Sequence, residues 1–173
     1  MNCPHPAVMA RALLTNPRQL LRSWYMLLFQ IPWLPEAIIS SGRGQQVARA
    51  LRGGSQRREV WTEALLEPYR EAFSRKGAAR GPLGYYRAGF RNPGLLRDAA
   101  KHPISAPTKI LWGTADRFLG RELIEPEKML RFFTAGNAPS IELIEGAGHF
   151  VQNEAPEEVN AALLRWLAAP STG

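Results

Sequence analysis

Two residue types that cooperate in acid–base chemistry stand just beyond two short apolar runs. Asp116 follows Lys109-Ile110-Leu111-Trp112-Gly113, in the turn Gly113-Thr114-Ala115-Asp116-Arg117-Phe118. His149 follows Ser140-Ile141-Glu142-Leu143-Ile144, in the glycine-rich turn Glu145-Gly146-Ala147-Gly148-His149. A carboxylate bonded to an imidazole fixes its tautomer and stabilises its charged form, which makes the imidazole a general base. Taken singly, Asp116 reads as turn chemistry and His149 as a cap or surface residue. The pair is more specific, because parallel α/β proteins build their sites just past the carboxyl ends of strands. Such a pair also needs a nucleophile, and the sequence contains no Gly-x-Ser-x-Gly elbow or its Asp variant. The nearest approach, Gly53-Gly54-Ser55-Gln56-Arg57, lacks the final glycine and reads as a loop in a polar connection.

The elements that must position the pair follow from residue spacing. Lys109–Gly113 and Ser140–Ile144 are runs suited to buried strands. Residues 122–133 read as a helix with Pro126 near its start, and 156–167 as a closing amphipathic helix with Val159, Leu163 and Trp166 inward. Strand, helix, strand, helix predicts parallel strands covered by helices. Upstream of the punctuated linker 103–107 everything reads as helical. Helices are expected over 7–14 and 19–29, the second after a start at Asn16-Pro17. Leu20, Leu21, Trp24, Leu27 and Leu28 gather on one face of that second helix, a face normally buried. Residues 31–36 form a rigid apolar turn, and 42–55 a polar connection around a short helix. A helix over 59–75 carries Trp61, Leu65, Leu66, Tyr69 and Phe73 on one side and is stopped by Gly81-Pro82; another follows over 83–90. The expected fold class is α/β, divided into 1–6 as a strand end and turn, 7–102 as a helical region and 103–169 as the strand-bearing core. Two parallel strands leave unpaired edges, and independent stability needs about three, so the sheet calls for further partners.

Composition excludes several classes. Hydrophobic residues at 45% and charged residues at 21%, with 14 prolines and 15 glycines spread along the chain, fit a globular protein rather than collagen, coiled coil or disorder. A single cysteine, Cys3, allows neither an internal disulfide nor a cysteine-based zinc site. The net charge of +7 raises nucleic acid, but the basic residues are scattered from Arg11 to Arg165 with no binding motif among them, so no nucleic-acid partner is expected. The apolar run 24–29 is broken by Gln30, Pro32 and Pro35, far short of the roughly 20 residues that span a bilayer. Residues 1–6 lack the pattern of a signal peptide, and a cytoplasmic chain is expected. His5, His102 and His149 are dispersed, and no phosphate loop or dinucleotide fingerprint is visible, so neither metal nor cofactor is expected.

The order strand, Gly-x-x-Asp, helix, strand, Gly-x-Gly-His, closing helix resembles the last third of an α/β-hydrolase, with the acid before the histidine. The likeness is closer still to epoxide hydrolases. Asn2-Cys3-Pro4-His5-Pro6 resembles the end of the core strand that precedes their helical cap, residues 23–36 the first cap helix, and Gly84-Tyr85-Tyr86-Arg87 the cap segment with the second tyrosine. The resemblance implies a partial α/β-hydrolase fold, a helical cap followed by two parallel strands with covering helices. It implies Tyr25 and Tyr86 as donors to an epoxide oxygen, Asp116 as the acid and His149 as the base, with no cofactor. Tyr85 is the rival second tyrosine; the Arg87 that follows favours Tyr86. Trp24, Phe29 and Trp33, with Phe90, are candidates to line a pocket for a small apolar epoxide, although ordinary packing accounts for them equally well. In the family an aspartate attacks an epoxide carbon to form an ester, which water activated by the histidine then hydrolyses. A phenol with an ordinary pKa of about 10 can donate to the developing oxyanion at neutral pH.

The sequence departs from the family in one large respect. The first strands, the oxyanion-hole segment and the nucleophile have no counterpart in these residues, so the resemblance implies a C-terminal portion inactive by itself. Dehalogenases, with an Asp nucleophile, and esterases, with Ser, share the scaffold and stay open, as does a non-catalytic remnant acting as an interaction module. A complementary N-terminal half, or self-association through an exposed sheet edge, is the expected kind of partner.

Overall fold

The structure, a computed structural model, describes residues 2–169. Its centre is a parallel pair, β1 (Lys109–Gly113) and β2 (Ser140–Ile144), with Lys109 opposite Ser140 and Gly113 opposite Ile144. Successive strand side chains point to opposite faces, and both faces of this pair are covered. Ile110 and Trp112 join Val8 and Ala12 of α1 (Pro6–Thr15) and Leu123, Met129 and Phe132 of the crossover in one cluster. Leu111 and Ile144 face the other way, onto Val151 of α10 (Val151–Glu154) and Val159 and Ala162 of α11 (Pro156–Ala168). Each large side chain buried this way stabilises the fold by about 1.5–3 kcal/mol.

The helices between α1 and β1 form a helical layer, of which α8 also packs on α1: α2 (Pro17–Arg22), α3 (Trp24–Leu28), α4 (Leu34–Ser40), α5 (Gln45–Gly54), α6 (Glu63–Ser74), α7 (Arg80–Arg91) and α8 (Pro93–Lys101). The third cluster lies here, with Leu51 of α5, Leu66 of α6 and Trp61 just before α6 at its centre.

Several helices differ from the spacing-based expectation, for local reasons. Thr62 accepts a hydrogen bond from the Leu65 N–H and starts α6 at Glu63, so Trp61 precedes the helix. Gly81 and Pro82 do not stop that helix. They sit in the first turn of α7, where the missing proline N–H costs nothing; the break comes at 75–79, where Gly77 has φ +82°. The crossover is not one helix over 122–133. Glu125 before Pro126 is pushed to extended geometry, with ψ 132°. The segment therefore divides into a 3-10 turn at Arg121–Ile124, α9 at Pro126–Met129 and a second 3-10 turn at Leu130–Phe132.

The largest correction concerns residues 19–29. They form two helices broken at Ser23, and the face turned inward is the polar one: Gln19 and Ser23 are buried while Leu21 is 73% and Trp24 61% exposed. Gln19 explains the inversion. Its amide donates to Ser23 Oγ at 2.9 Å and Phe118 O at 2.8 Å, and its carbonyl accepts from Gly120 N at 3.0 Å. That loop has backbone groups to satisfy, and an amide side chain satisfies them where leucine could not. Among the described residues no helix is long and apolar enough to cross a membrane.

Candidate active site

Asp116 sits in the turn beyond β1, which is bonded to the end of β2: Thr114 N donates to Ile144 O and Ala115 N to Ala147 O. The carboxylate is almost wholly buried and gathers four donors. Oδ1 accepts from the N–H groups of Phe118 (2.7 Å) and Leu119 (3.0 Å), which close the turn. Oδ2 accepts from Asn2 Nδ2 at 2.7 Å and lies 2.9 Å from His149 Nδ1. An ionised carboxylate only accepts, so His149 carries its proton on Nδ1 and leaves Nε2 free to take one. Burial works to raise the Asp116 pKa, but the bond and charge of His149, with Asn2 and Leu119, outweigh it and hold the carboxyl below the usual carboxylate range.

His149 stands between two aromatic edges. Phe118 lies 5.2 Å away at 74° and Phe150 5.2 Å away at 79°. Both rings press on Gly54 at the end of α5, where a Cβ would come within 2.8 Å of Phe118 and 3.2 Å of Phe150. The helical layer thus meets the two rings beside the histidine at a residue without a side chain. Ser55, next to it, is no nucleophile. It is fully buried, accepts from Trp61 Nε1 at 2.6 Å and donates to Leu51 O, and Gly53 and Gly54 are the last turn of α5 rather than loop.

Two of the three candidate tyrosines join an aromatic cluster that reaches this pair through Phe118. Tyr25 packs edge-on against Phe118 at 5.5 Å and against Tyr86 at 5.9 Å, and Phe29 closes the group at 5.5 Å from Tyr25 and 5.0 Å from Tyr86. Arg87 sets this meeting of α3 and α7. It donates to Phe29 O and Ile31 O and pairs with Glu36. Tyr85 points outward, 76% exposed. Burial chiefly, then the Tyr86 hydroxyl and the Asp116 charge, push the Tyr25 pKa well above that of free tyrosine. Burial also raises Tyr86, against a lowering by its bond with Tyr25. Both phenols are therefore neutral donors at neutral pH.

Of the candidate lining residues, Phe29 belongs to this cluster, whereas Trp24 and Trp33 do not. Trp33 is 82% exposed, held outward by a backbone at φ +63° in the turn before α4. Phe90 is also exposed. Sequence reasoning missed three residues that shape the site. Asn2 bridges Asp116, Gly148 O and the Gly113 N–H; Phe118 links Tyr25 to His149; Glu154 is a buried carboxylate beneath the histidine turn. The placing of residues 1–6 at a strand end was a visible hint for Asn2, but nothing local marks Glu154. Among the described residues no group of three or more His, Cys, Asp or Glu is arranged to hold a metal.

No family model matches the chain. Epoxide hydrolase 4 of Homo sapiens is 32% identical over 172 residues, an alignment covering 96% of this chain and 45% of that protein. The AB hydrolase superfamily protein YfhM of Bacillus subtilis is 32% identical over 169 residues, covering 96% of this chain and 55% of the relative. The solved structure of Epoxide Hydrolase A from Mycobacterium thermoresistibile superposes with TM-score 0.69 and 28% identity, over 95% of this chain and 58% of that one. The chain spans about half the length of the curated relatives it matches.

Proposed function

We propose that this chain, a homologue of epoxide hydrolases and AB hydrolase superfamily proteins that carries part of the α/β-hydrolase fold, supplies the acid–base pair and the phenol donors for hydrolysis of a small apolar epoxide to a vicinal diol. One observation supports the reading above the others. Tyr86, Tyr25, Phe118 and His149 are in continuous edge-on contact, so an unbroken aromatic chain leads from the two phenols to the imidazole.

In this reading residues 7–102 are the cap over the 103–169 core, and the nucleophilic carboxylate comes from a complementary segment. That segment joins the sheet at the β1 edge where Asn2 N donates to Leu111 O. The carboxylate attacks an epoxide carbon, the C–O bond breaks, and the departing oxygen takes a proton from a phenol. His149 Nε2 then takes a proton from water, which attacks the ester carbonyl; the diol oxygen leaves with the proton returned by the imidazolium, and the proton lost as the new carboxylic acid ionises restores the phenol. Asp116 stabilises the imidazolium without itself being protonated. The lone Cys3 suits a reducing, cytoplasmic compartment.

The test is a fusion of this chain to an N-terminal segment bearing a Gly-x-Asp-x-Gly elbow, assayed with styrene oxide. Diol is expected from the fusion and none from the chain alone. Tyr25→Phe or Tyr86→Phe should lower kcat about a hundredfold, and Tyr85→Phe should leave it unchanged. A fusion that hydrolyses carboxylic esters but no epoxide would overturn the proposal.

A further inference from the structure

Glu154 is the one buried carboxylate among the described residues, other than Asp116, that the reaction above leaves unused. It is 2% exposed, and its oxygens meet backbone N–H groups from two distant loops. Oε2 accepts from Gly148 at 2.9 Å, Gln56 at 2.8 Å and Arg57 at 2.9 Å; Oε1 accepts from Phe150 at 3.2 Å. Gly148 and Phe150 flank His149 on either side. Gln56 and Arg57 follow α5, the helix whose end presses on Phe118 and Phe150. No cation touches the carboxylate in these contacts: the Arg57 guanidinium passes it by and bonds Glu154 O, Glu145 O and Glu158 instead. Four amide dipoles therefore hold the charge, and charge-assisted bonds of this kind are about twice as strong as neutral ones.

We propose that Glu154 is a positioning residue for His149, a single buried anion that pins the backbone on both sides of the imidazole and locks the end of α5 against it. The proposal rests on the reading of His149 as the base. Its geometric logic is that of a clamp. The imidazole meets Asp116 only if residues 148–150 keep their course, and the carboxylate fixes that course at 148 and at 150. The same oxygen that holds Gly148 holds Gln56 and Arg57, so a shift of the helical layer is transmitted to the histidine turn.

The experiment uses the chain itself and reads geometry, so it stands whether or not epoxides are substrates. Proton NMR follows the His149 Nδ1–H bonded to Asp116, and hydrogen exchange follows the amides of Gln56, Arg57, Gly148 and Phe150. Glu154→Gln keeps the size but places N–H donors against N–H donors. We expect protection of the four amides to fall at least about tenfold and the Nδ1–H resonance to be lost to solvent exchange, while Glu158→Gln, which removes only the surface bond to Arg57, preserves both. If Glu154→Gln fails to fold, Gly148→Ala takes its place, since a Cβ there lies 2.8 Å from Glu154 Oε1 and 3.0 Å from Gln56 N. It should give the same loss. An intact Nδ1–H resonance in the folded variant, with the four amides deprotected, would overturn the proposal and leave Glu154 a purely structural clasp. Failure of the epoxide reading would instead show as a fusion without diol and an unaltered NMR result.

Discussion

The side-chain amide of Asn2 lies 2.7 Å from the carboxylate of Asp116, across 114 positions of sequence. The same side chain accepts from the Gly113 N–H at 2.9 Å and donates to Gly148 O. It therefore joins the end of β1, the acid and the histidine turn. Its backbone at φ +34° is a left-handed conformation that asparagine tolerates better than most residues.

Asn2→Ala should destabilise the fold by about 1–3 kcal/mol, because it strands the Gly113 N–H in the interior. Asn2→Asp should be worse, since it sets a second carboxylate against Asp116. Urea unfolding at neutral pH measures both, and a neutral Asn2→Ala would contradict the bridge.

Acid should loosen the Asp116–His149 pair. The folded-state pKa of Asp116 is depressed, so its stabilisation is present above the unfolded value of about 3.9 and is lost as pH falls through the lower folded value. The stability gap between the wild type and Asp116→Asn should be wide at pH 6 and shrink below about pH 4. A gap of constant size across that window would show that the charged form is not the stabilised one.

Alkali should act through the tyrosines with the opposite sense. Tyr25 and Tyr86 are raised, so the stability they contribute is complete below the unfolded value of about 10 and declines as pH rises beyond it. Each retained proton should cost about 1.4 kcal/mol per pH unit there. Tyr25→Phe should flatten the decline, as read from denaturant midpoints alongside phenolate absorbance; an equally steep decline in that variant would contradict burial of Tyr25.

Gln19→Leu tests which side of α2 faces inward. It should cost about 2–3 kcal/mol by orphaning the Gly120 N–H and Phe118 C=O, whereas Leu21→Gln on the open face should stay within about 0.5 kcal/mol. Thermal unfolding of the two variants distinguishes them, and a stable Gln19→Leu would restore the apolar face as the buried one.

What could be read from sequence divides along physical lines. Both strands have the bounds their apolar runs suggested, because a continuous run ended by glycine or a turn is a local signature, and the two turns beyond them bring Asp116 to His149 as strand geometry requires. The inverted face of 17–28 was hidden because Gln19 pairs with backbone 99 and 101 residues away, and hydropathy does not register such a partner. Trp33 reads as a packing residue by type, but its left-handed turn aims it at solvent. Glu154 looks like any surface glutamate at the start of a helix until the two loops that close over it are in place.

The most direct test of the central claim is made on the fusion with His149→Gln, mixed with styrene oxide and read by intact mass. The account predicts a stable adduct of one epoxide per chain on the elbow aspartate, formed at the wild-type rate and released as diol only very slowly, because the ester forms without His149 and needs it for hydrolysis. Unaltered steady-state diol production by that variant would contradict it.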